Sequence, residues 1–355
     1  MAPTERPAPG AISGHYFDTA SVGFVPPAVR HAVTNCYEAL GRGTLGMARV
    51  REGVDQAREL LGQEFGVDPG DVSFASSTGE AMNALARAVP WLEGDEVLTL
   101  TGEFPTVTWP WSRLGDGVRL VQVDPLRGDD RLGALLDGLT PRTRVVVVSH
   151  VSSFTGTRID LDTLGRACAR VNALLVCDGA QSAGSVPVAL GEVDFYIATG
   201  YKWLLAGFGI AVVISSAAVR DGLRPTLLGH ANLPPSTRLG CGTPNFGGIH
   251  ALRAAAAVRR EFGFQAVHER VAALSHSIHL DCTRLGLVPV ADPSRMGGIV
   301  SLSAVADVPA AVRALAANGV TAADRGGLLR LSPHFYTTDT DIDILMHSLA
   351  ALPTA

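Results

Sequence analysis

The sequence predicts an α/β fold: a large domain built on a mostly parallel, seven-stranded sheet, followed by a smaller α+β C-terminal domain. Three observations carry this. Short apolar runs alternate with helical patterns from about residue 70 to 215, the order that builds a parallel sheet from crossover units. Several of these runs are apolar throughout rather than at every second residue, as strands covered on both faces are. Past residue 215 the pattern changes, first to a Gly/Pro-rich passage over 228–248 and then to a long helical stretch.

In chain order, strands are expected at Val72–Phe74, Glu96–Thr101, Val118–Val123, Arg144–Ser149, Leu174–Cys177, Phe195–Ala198 and Ile210–Ile214. Between them lie the helical stretches Glu80–Val89 and Leu161–Val171, the second preceded by Asp160, whose carboxylate can accept from the opening amides as an N-cap. Ile249–Arg260 reads as a long helix, and its Ala254–Ala257 run as helix former rather than low complexity. The expected division is an N-terminal segment, 1–30, packing near the functional site and the small domain; a large cofactor-binding domain, 31–249; and a small domain, 250–355.

A chain of 355 residues, 47% hydrophobic and 18% charged, buries a large core and exceeds the usual size of one compact unit. Its formal charge of -5 and its lack of Lys/Arg clusters argue against a nucleic-acid partner. The five cysteines, Cys36, Cys168, Cys177, Cys241 and Cys282, are odd in number and scattered, which argues against a disulfide framework or a zinc site. The opening MAPTERPAPG carries acidic and proline residues rather than a basic stretch followed by an apolar one, and no apolar run reaches membrane-spanning length. A soluble, reduced, cytoplasmic protein with no membrane partner is expected.

Ligands of open α/β sheets collect beyond the carboxyl ends of the strands, so the polar residues after each apolar run are the candidates. Leu174–Cys177 runs into Asp178-Gly179-Ala180-Gln181, and Phe195–Ala198 into Thr199-Gly200-Tyr201-Lys202-Trp203. An acid and a lysine at the ends of consecutive strands suit pyridoxal 5'-phosphate, whose aldehyde needs an amine and whose ring nitrogen needs a carboxylate to keep it protonated. Lys202 supplies the Schiff-base amine and Asp178 the carboxylate. Gln181, one turn on, is placed to donate to the phenolic oxygen.

Ser76-Ser77-Thr78-Gly79-Glu80 lies between a strand and a helix, where amides converge on a phosphate. Phe104, in Gly102-Glu103-Phe104-Pro105 after another strand, offers a ring to stack on the pyridine. Singly, each has an ordinary structural use: a solvated lysine, a helix cap, a capped helix start, a core phenylalanine. Together in one fold they favour the cofactor.

From His15-Tyr16-Phe17-Asp18-Thr19-Ala20 to Asp341-Ile342-Asp343, with Asp178–Gln181, Gly200–Trp203 and Gly242-Thr243-Pro244-Asn245 in order between, the chain resembles the class V aminotransferase family. The likeness is to its cysteine-desulfurase-like branch of fold-type I pyridoxal-phosphate enzymes. The resemblance implies the roles given above for Lys202, Asp178 and Gln181, with Phe104 stacking where desulfurases have His. It puts Thr78 and Gly79 at the phosphate, with Ser77, Thr199 and Tyr201 among the other cofactor contacts. It also implies a homodimer with shared sites, Thr243 reaching the neighbouring subunit's phosphate.

In Arg330-Leu331-Ser332-Pro333-His334-Phe335-Tyr336, the resemblance makes Arg330 the clamp for an amino-acid substrate's carboxylate, a task suited to a planar guanidinium. Ser153 stands near the substrate in place of a family Asn, and Tyr201 in place of a His. The segment Asp324–Arg330 is short and lacks the nucleophilic Cys of desulfurases, and Cys241 falls to backbone packing. A lyase acting at Cβ of a cysteine-like amino acid is therefore expected rather than a persulfide-forming desulfurase. An aminotransferase or epimerase is the alternative within this chemistry, and a cofactor-binding protein without catalysis the alternative outside it. Residues 42–50 and 228–240 are candidate pocket walls.

Overall fold

The computed structural model describes residues 14–115, 117–126, 129–224, 227, 229 and 242–352. A two-residue strand, β1 (His15–Tyr16), precedes the helices α1 (Pro27–Leu40) and α2 (Met47–Phe65). Strands and helices then alternate: β2 (Val72–Ala75), α3 (Thr78–Ala88), β3 (Glu96–Leu100), α4 (Pro105–Thr108), β4 (Arg119–Val123), α5 (Arg131–Gly138), β5 (Thr143–Ser149), α6 (Leu161–Arg170) and β6 (Leu174–Asp178). β7 (Phe195–Thr199), β8 (Ala211–Ile214) and α7 (Ala217–Asp221) complete this part. The rest comprises α8 (Phe246–Phe262), α9 (Phe264–Arg284), β9 (Val288–Pro289), β10 (Val300–Ser303), α10 (Val308–Ala317), β11 (Val320–Thr321), β12 (Ala323–Arg325), β13 (Leu328–Leu331) and α11 (Asp339–Ala350).

The central sheet has seven strands in the order β2-β8-β7-β6-β5-β3-β4. It is parallel from β7 to β4, while β8 runs antiparallel to both of its neighbours. Each expected strand differs from the observed one by a single residue at an end, and Asp178 and Thr199 prove to be the last residues of β6 and β7. The continuous apolar runs have a physical cause in the layers. Val146 and Val148 of β5 join the cluster formed with α1, α2, α6 and α8, whereas Val145 and Val147 join the one formed with α3 and α4. Side chains alternate between faces, and both faces are covered. Asp160 caps α6 as expected, its carboxylate accepting from the Asp162 and Thr163 amides at 3.1 and 3.2 Å.

A second, antiparallel sheet has the order β12-β13-β10-β9 and packs with α9, α10 and α11 around Leu302, Leu315, Leu329 and Leu345. The boundary expected between residues 249 and 250 falls inside α8, whose buried face packs with the core of the central sheet. The N-terminal strap joins the two bodies. β1 pairs with β11 in parallel, Phe17 enters the small core, and further on the Gly23 amide donates to the Tyr201 carbonyl at 2.8 Å. No side chain fits at Gly23, because a Cβ there would stand 2.0 Å from the Lys202 carbonyl oxygen.

Among the described residues no helix is long and apolar enough to cross a membrane, and no group of three or more His, Cys, Asp or Glu gathers as a metal site.

The tie beneath the Lys202 turn is ionic. Arg259 of α8 is fully buried, donates from Nε and Nη2 to the Glu64 carboxylate of α2 at 2.7 and 2.6 Å, and from Nη1 to the Leu204 carbonyl at 2.5 Å. Glu64→Ala would leave that guanidinium in the core without a counter-charge, a loss of about 3–5 kcal/mol. Denaturant unfolding should show it, with Glu64→Leu/Arg259→Met recovering most of the stability. A loss below about 1 kcal/mol would show the pair contributes no more than a surface one.

Candidate active site

The carboxyl ends of β6 and β7 open into a cleft of about 470 Å³, lined by Ser76, Ser77, Thr78, Gly79, Phe104, Ser149, Ser153, Asp178, Gln181, Thr199, Tyr201 and Lys202 among others. These segments lie far apart in sequence. They meet because parallel strands deliver all their carboxyl ends to one edge.

Lys202 sits in the turn that follows β7. The turn is closed by the Leu205 amide donating to the Lys202 carbonyl at 3.2 Å, with Leu205 in the left-handed region at φ 59°. That conformation costs a non-glycine residue about 1–2 kcal/mol, and the burial of Leu205 holds it there. Burial pushes the Lys202 amine down to about 8; Asp178 opposes this, while Arg330 and Arg325 add to it. Burial likewise pushes the Asp178 carboxyl up to about 6, against an amide hydrogen bond from Ala180 at 2.7 Å and the charge of Lys202. An amine easily made neutral thus faces a carboxylate that lacks a strong cationic partner.

Gln181 is held at both ends of its amide. Its Oε1 accepts from the Trp203 indole at 2.9 Å, and its Nε2 donates to the Ala20 carbonyl at 3.0 Å. Because an indole only donates, the orientation of the amide is fixed, and one N–H of Nε2 is left over. Trp203 is itself pinned: its carbonyl accepts from Nε2 of the buried His334 at 3.0 Å, while His334 Nδ1 accepts from the Phe335 amide at 2.8 Å. Burial lowers the His334 pKa to about 3, so the ring is neutral.

Phe104 lines the cleft with its ring centroid 5.8 Å from Lys202 Nζ. Its neighbour Glu103, a residue with no role assigned from sequence, anchors the loop: the buried carboxylate pairs with Arg131 and accepts from the Ser149 amide at 3.0 Å. Arg131 in turn donates to the Thr157 carbonyl at 3.2 Å.

At the start of α3, Ser77 is the N-cap, accepting from the Glu80 amide at 3.1 Å, and Glu80 reaches back to the Ser76 amide at 2.8 Å. This is the capped helix start that the sequence also allowed. It faces the cleft all the same, and the amides of Thr78 and Gly79, at the first positions of the helix, have no intrahelical acceptor.

Arg330 is 2% exposed. It donates to Asp18 at 3.0 Å and to the Ser21 hydroxyl at 2.6 Å from Nη2, and to the Ser153 carbonyl at 3.1 Å from Nη1, leaving Nε without an acceptor. The strap residues Asp18 and Ser21 were invisible as partners of Arg330 in the sequence, although Asp18 lies in one of its motifs. Arg325 was missed as well, its segment having been read only for the cysteine it lacks. Its guanidinium lies 5.5 Å from the Phe104 ring centroid and 5.2 Å from that of Phe154.

Thr243 is exposed and lies outside the lining of this cleft. Residues 42–50 do not line it either. Residues 230–241, which include most of the other wall segment and Cys241, lie outside the described residues. The four described cysteines are all buried and none lines the cleft; burial pushes Cys168 and Cys282 up to about 12.

The donor set fits the cofactor expected from the sequence: an amine, a carboxylate short of a cation, an amide donor, a ring and helix-start amides surround one cavity of suitable size. The chain is 26% identical to a "Probable cysteine desulfurase" of Methanothermobacter thermautotrophicus, over 94% of this chain and 93% of that one. It is 30% identical to an isopenicillin N epimerase of Amycolatopsis lactamdurans, over 83% and 84%. A solved structure of a cystine C–S lyase in complex with its reaction product, cysteine persulfide, shares the fold at a TM-score of 0.88 and 22% identity, covering 96% of this chain and 98% of that chain. The family model "Aminotransferase class-V" matches residues 15–345, and on that match, spanning both sheets and the residues that line the cleft, the chain belongs to the class V aminotransferase family.

Proposed function

We propose that this pyridoxal-phosphate-dependent enzyme is a β-lyase, breaking the Cβ–S bond of a cysteine-derived amino acid without passing sulfur to a protein thiol. The observation that carries the reading is a cleft holding Lys202 and Asp178, both desolvated by burial, with no described thiol on its walls.

In this reading Thr78 and Gly79, with Ser77, hold the phosphate at the start of α3. Asp178 would keep the ring nitrogen protonated, Gln181 would donate its remaining N–H to the phenolic oxygen, Phe104 would stack on the ring, and Thr199 and Tyr201 would be among the other contacts. The cofactor supplies an electron sink for the pair left when the Cα proton departs. Lys202 takes that proton, and its lowered pKa keeps a useful share of the amine neutral near pH 7. Arg330, which donates to the carbonyl of the cleft residue Ser153, receives the substrate carboxylate through Nε and the N–H groups not spent on Asp18, Ser21 and Ser153. The sulfur leaves with the Cβ–S electron pair and gains a proton, so that substrate and one water yield a thiol, pyruvate and ammonia.

A homodimer in which Thr243 of each subunit reaches its partner's phosphate is part of the proposal, and the exposure of Thr243 is compatible with it. The likeness to isopenicillin N epimerase favours a second reading, inversion at Cα.

One assay separates the readings. With S-methylcysteine and no keto acid, the β-lyase releases pyruvate and ammonia in equal amounts; strict need for a keto-acid acceptor means an aminotransferase, and loss of optical purity without pyruvate an epimerase. Lys202→Ala should lower turnover by about 10²–10⁴-fold and abolish borohydride fixation of the cofactor. Asp178→Asn should keep the cofactor but lose about 10²–10³ in turnover. Covalent loading of cofactor-free protein, followed by absorbance, should quicken as pH rises through about 8, where Lys202 loses its proton. A rate flat across that range would contradict the Lys202 assignment.

A further inference from the structure

We propose that Arg325 is a second anion receptor in this site, selecting substrates whose sulfur substituent carries a carboxylate; this rests on the β-lyase reading. Arg325 pairs with Leu328 across a two-residue turn, Gly326-Gly327, with φ values of 64° and 79°, the doubly left-handed turn that glycine permits. Ala323 pairs with Arg330. Directly opposed residues share a face, and so do residues two apart, so Arg325 and Arg330 project from the same face of β12–β13. The other face carries Leu329 and Leu331 into the small core. The hairpin therefore presents two guanidinium groups together, away from its own core.

Those two groups differ in what they meet. Arg330 has Asp18, Ser21 and the Ser153 carbonyl. Arg325 has no hydrogen-bond acceptor and no acidic partner among the described residues, and its Nε is buried. What it has is two rings, Phe104 and Phe154, at cation–π distance. Stacking on rings fixes the plane of a guanidinium and leaves its N–H edge open, which is the geometry that meets a carboxylate through two hydrogen bonds. Phe104 is also within 5.8 Å of Lys202 Nζ, so the same ring borders both the reactive amine and the unpaired cation.

Charge points the same way. Arg325 acts electrostatically on Lys202, Tyr201 and Arg330. Of the acids at the site, Asp18 is engaged by Arg330 and Asp178 is reserved for the ring nitrogen. An α-carboxylate on Arg330 leaves Arg325 uncompensated. A second carboxylate, carried on the sulfur substituent, completes the set, and neutral side chains leave a half-buried cation without an acceptor.

The test compares S-carboxymethylcysteine with its neutral isostere S-carboxamidomethylcysteine on the cofactor-loaded enzyme, reading turnover and the absorbance change on binding. The acid should show a KM and an apparent Kd about tenfold to a hundredfold lower than the amide, the range of a charge-assisted hydrogen bond. Arg325→Gln should erase that preference through KM with kcat little changed, and Arg325→Lys should restore part of it. Equal KM for the two probes in the wild type, binding of neither, or an Arg325→Gln effect equal on both overturns the proposal. The underlying β-lyase reading fails separately, through acceptor dependence or inversion with S-methylcysteine; a loaded enzyme whose absorbance no amino acid changes would sink both.

Discussion

A lysine amine desolvated by burial is tolerated only if something offsets the loss of hydration, and here the offset is small. Asp178 lies nearby but is itself buried, so each group is held away from its ordinary ionisation, the amine downward and the carboxyl upward. This tension between desolvation and one imperfect counter-charge is what the surrounding structure has to sustain. The turn after β7 does so with Leu205 in a left-handed conformation, the Gly23 backbone pressed against the Lys202 carbonyl, and the Arg259–Glu64 pair tied to the adjacent Leu204 carbonyl.

The strap and the second sheet extend the same constraint. β1 and Phe17 belong to the small core, while Ala20 accepts from Gln181 and Gly23 donates beneath Lys202. One stretch of chain therefore couples the placement of the Gln181 amide to the hairpin that carries Arg325 and Arg330. The coupling is made by hydrogen bonds and close packing, both of which fall off within a few tenths of an ångström. Small shifts between the two bodies should be felt at the site before they are felt in either core.

Much of this was legible in the chain. The strands of the central sheet can be read to within a residue because most of their side chains are apolar and pack into covered layers, as those of β5 do on both faces. Asp178 and Lys202 follow from that reading, since one ends β6 and the other lies in the turn just after β7, the next parallel strand. The start of α3 is less decisive: Ser77 and Glu80 do what any capped helix start does, and only the neighbouring cleft gives the Thr78 and Gly79 amides a use. The domain boundary is blurred for a similar reason, because the helical pattern around residue 250 does not say which core its buried face joins.

Arg325 marks where sequence reasoning stopped. In the chain it is one charged residue before two glycines, and nothing local distinguishes it from a solvated turn. Glu103, Asp18 and Arg131 are of the same kind: their partners lie tens to hundreds of residues away, and no periodicity records them. The sequence by itself determined the strands of the central sheet and the polar residues that follow them, since continuous apolar runs and turn chemistry are local. Only the tertiary structure decided which charges are paired and which are left to a ligand, because desolvation and Coulomb attraction depend on distances that exist once the chain has closed on itself.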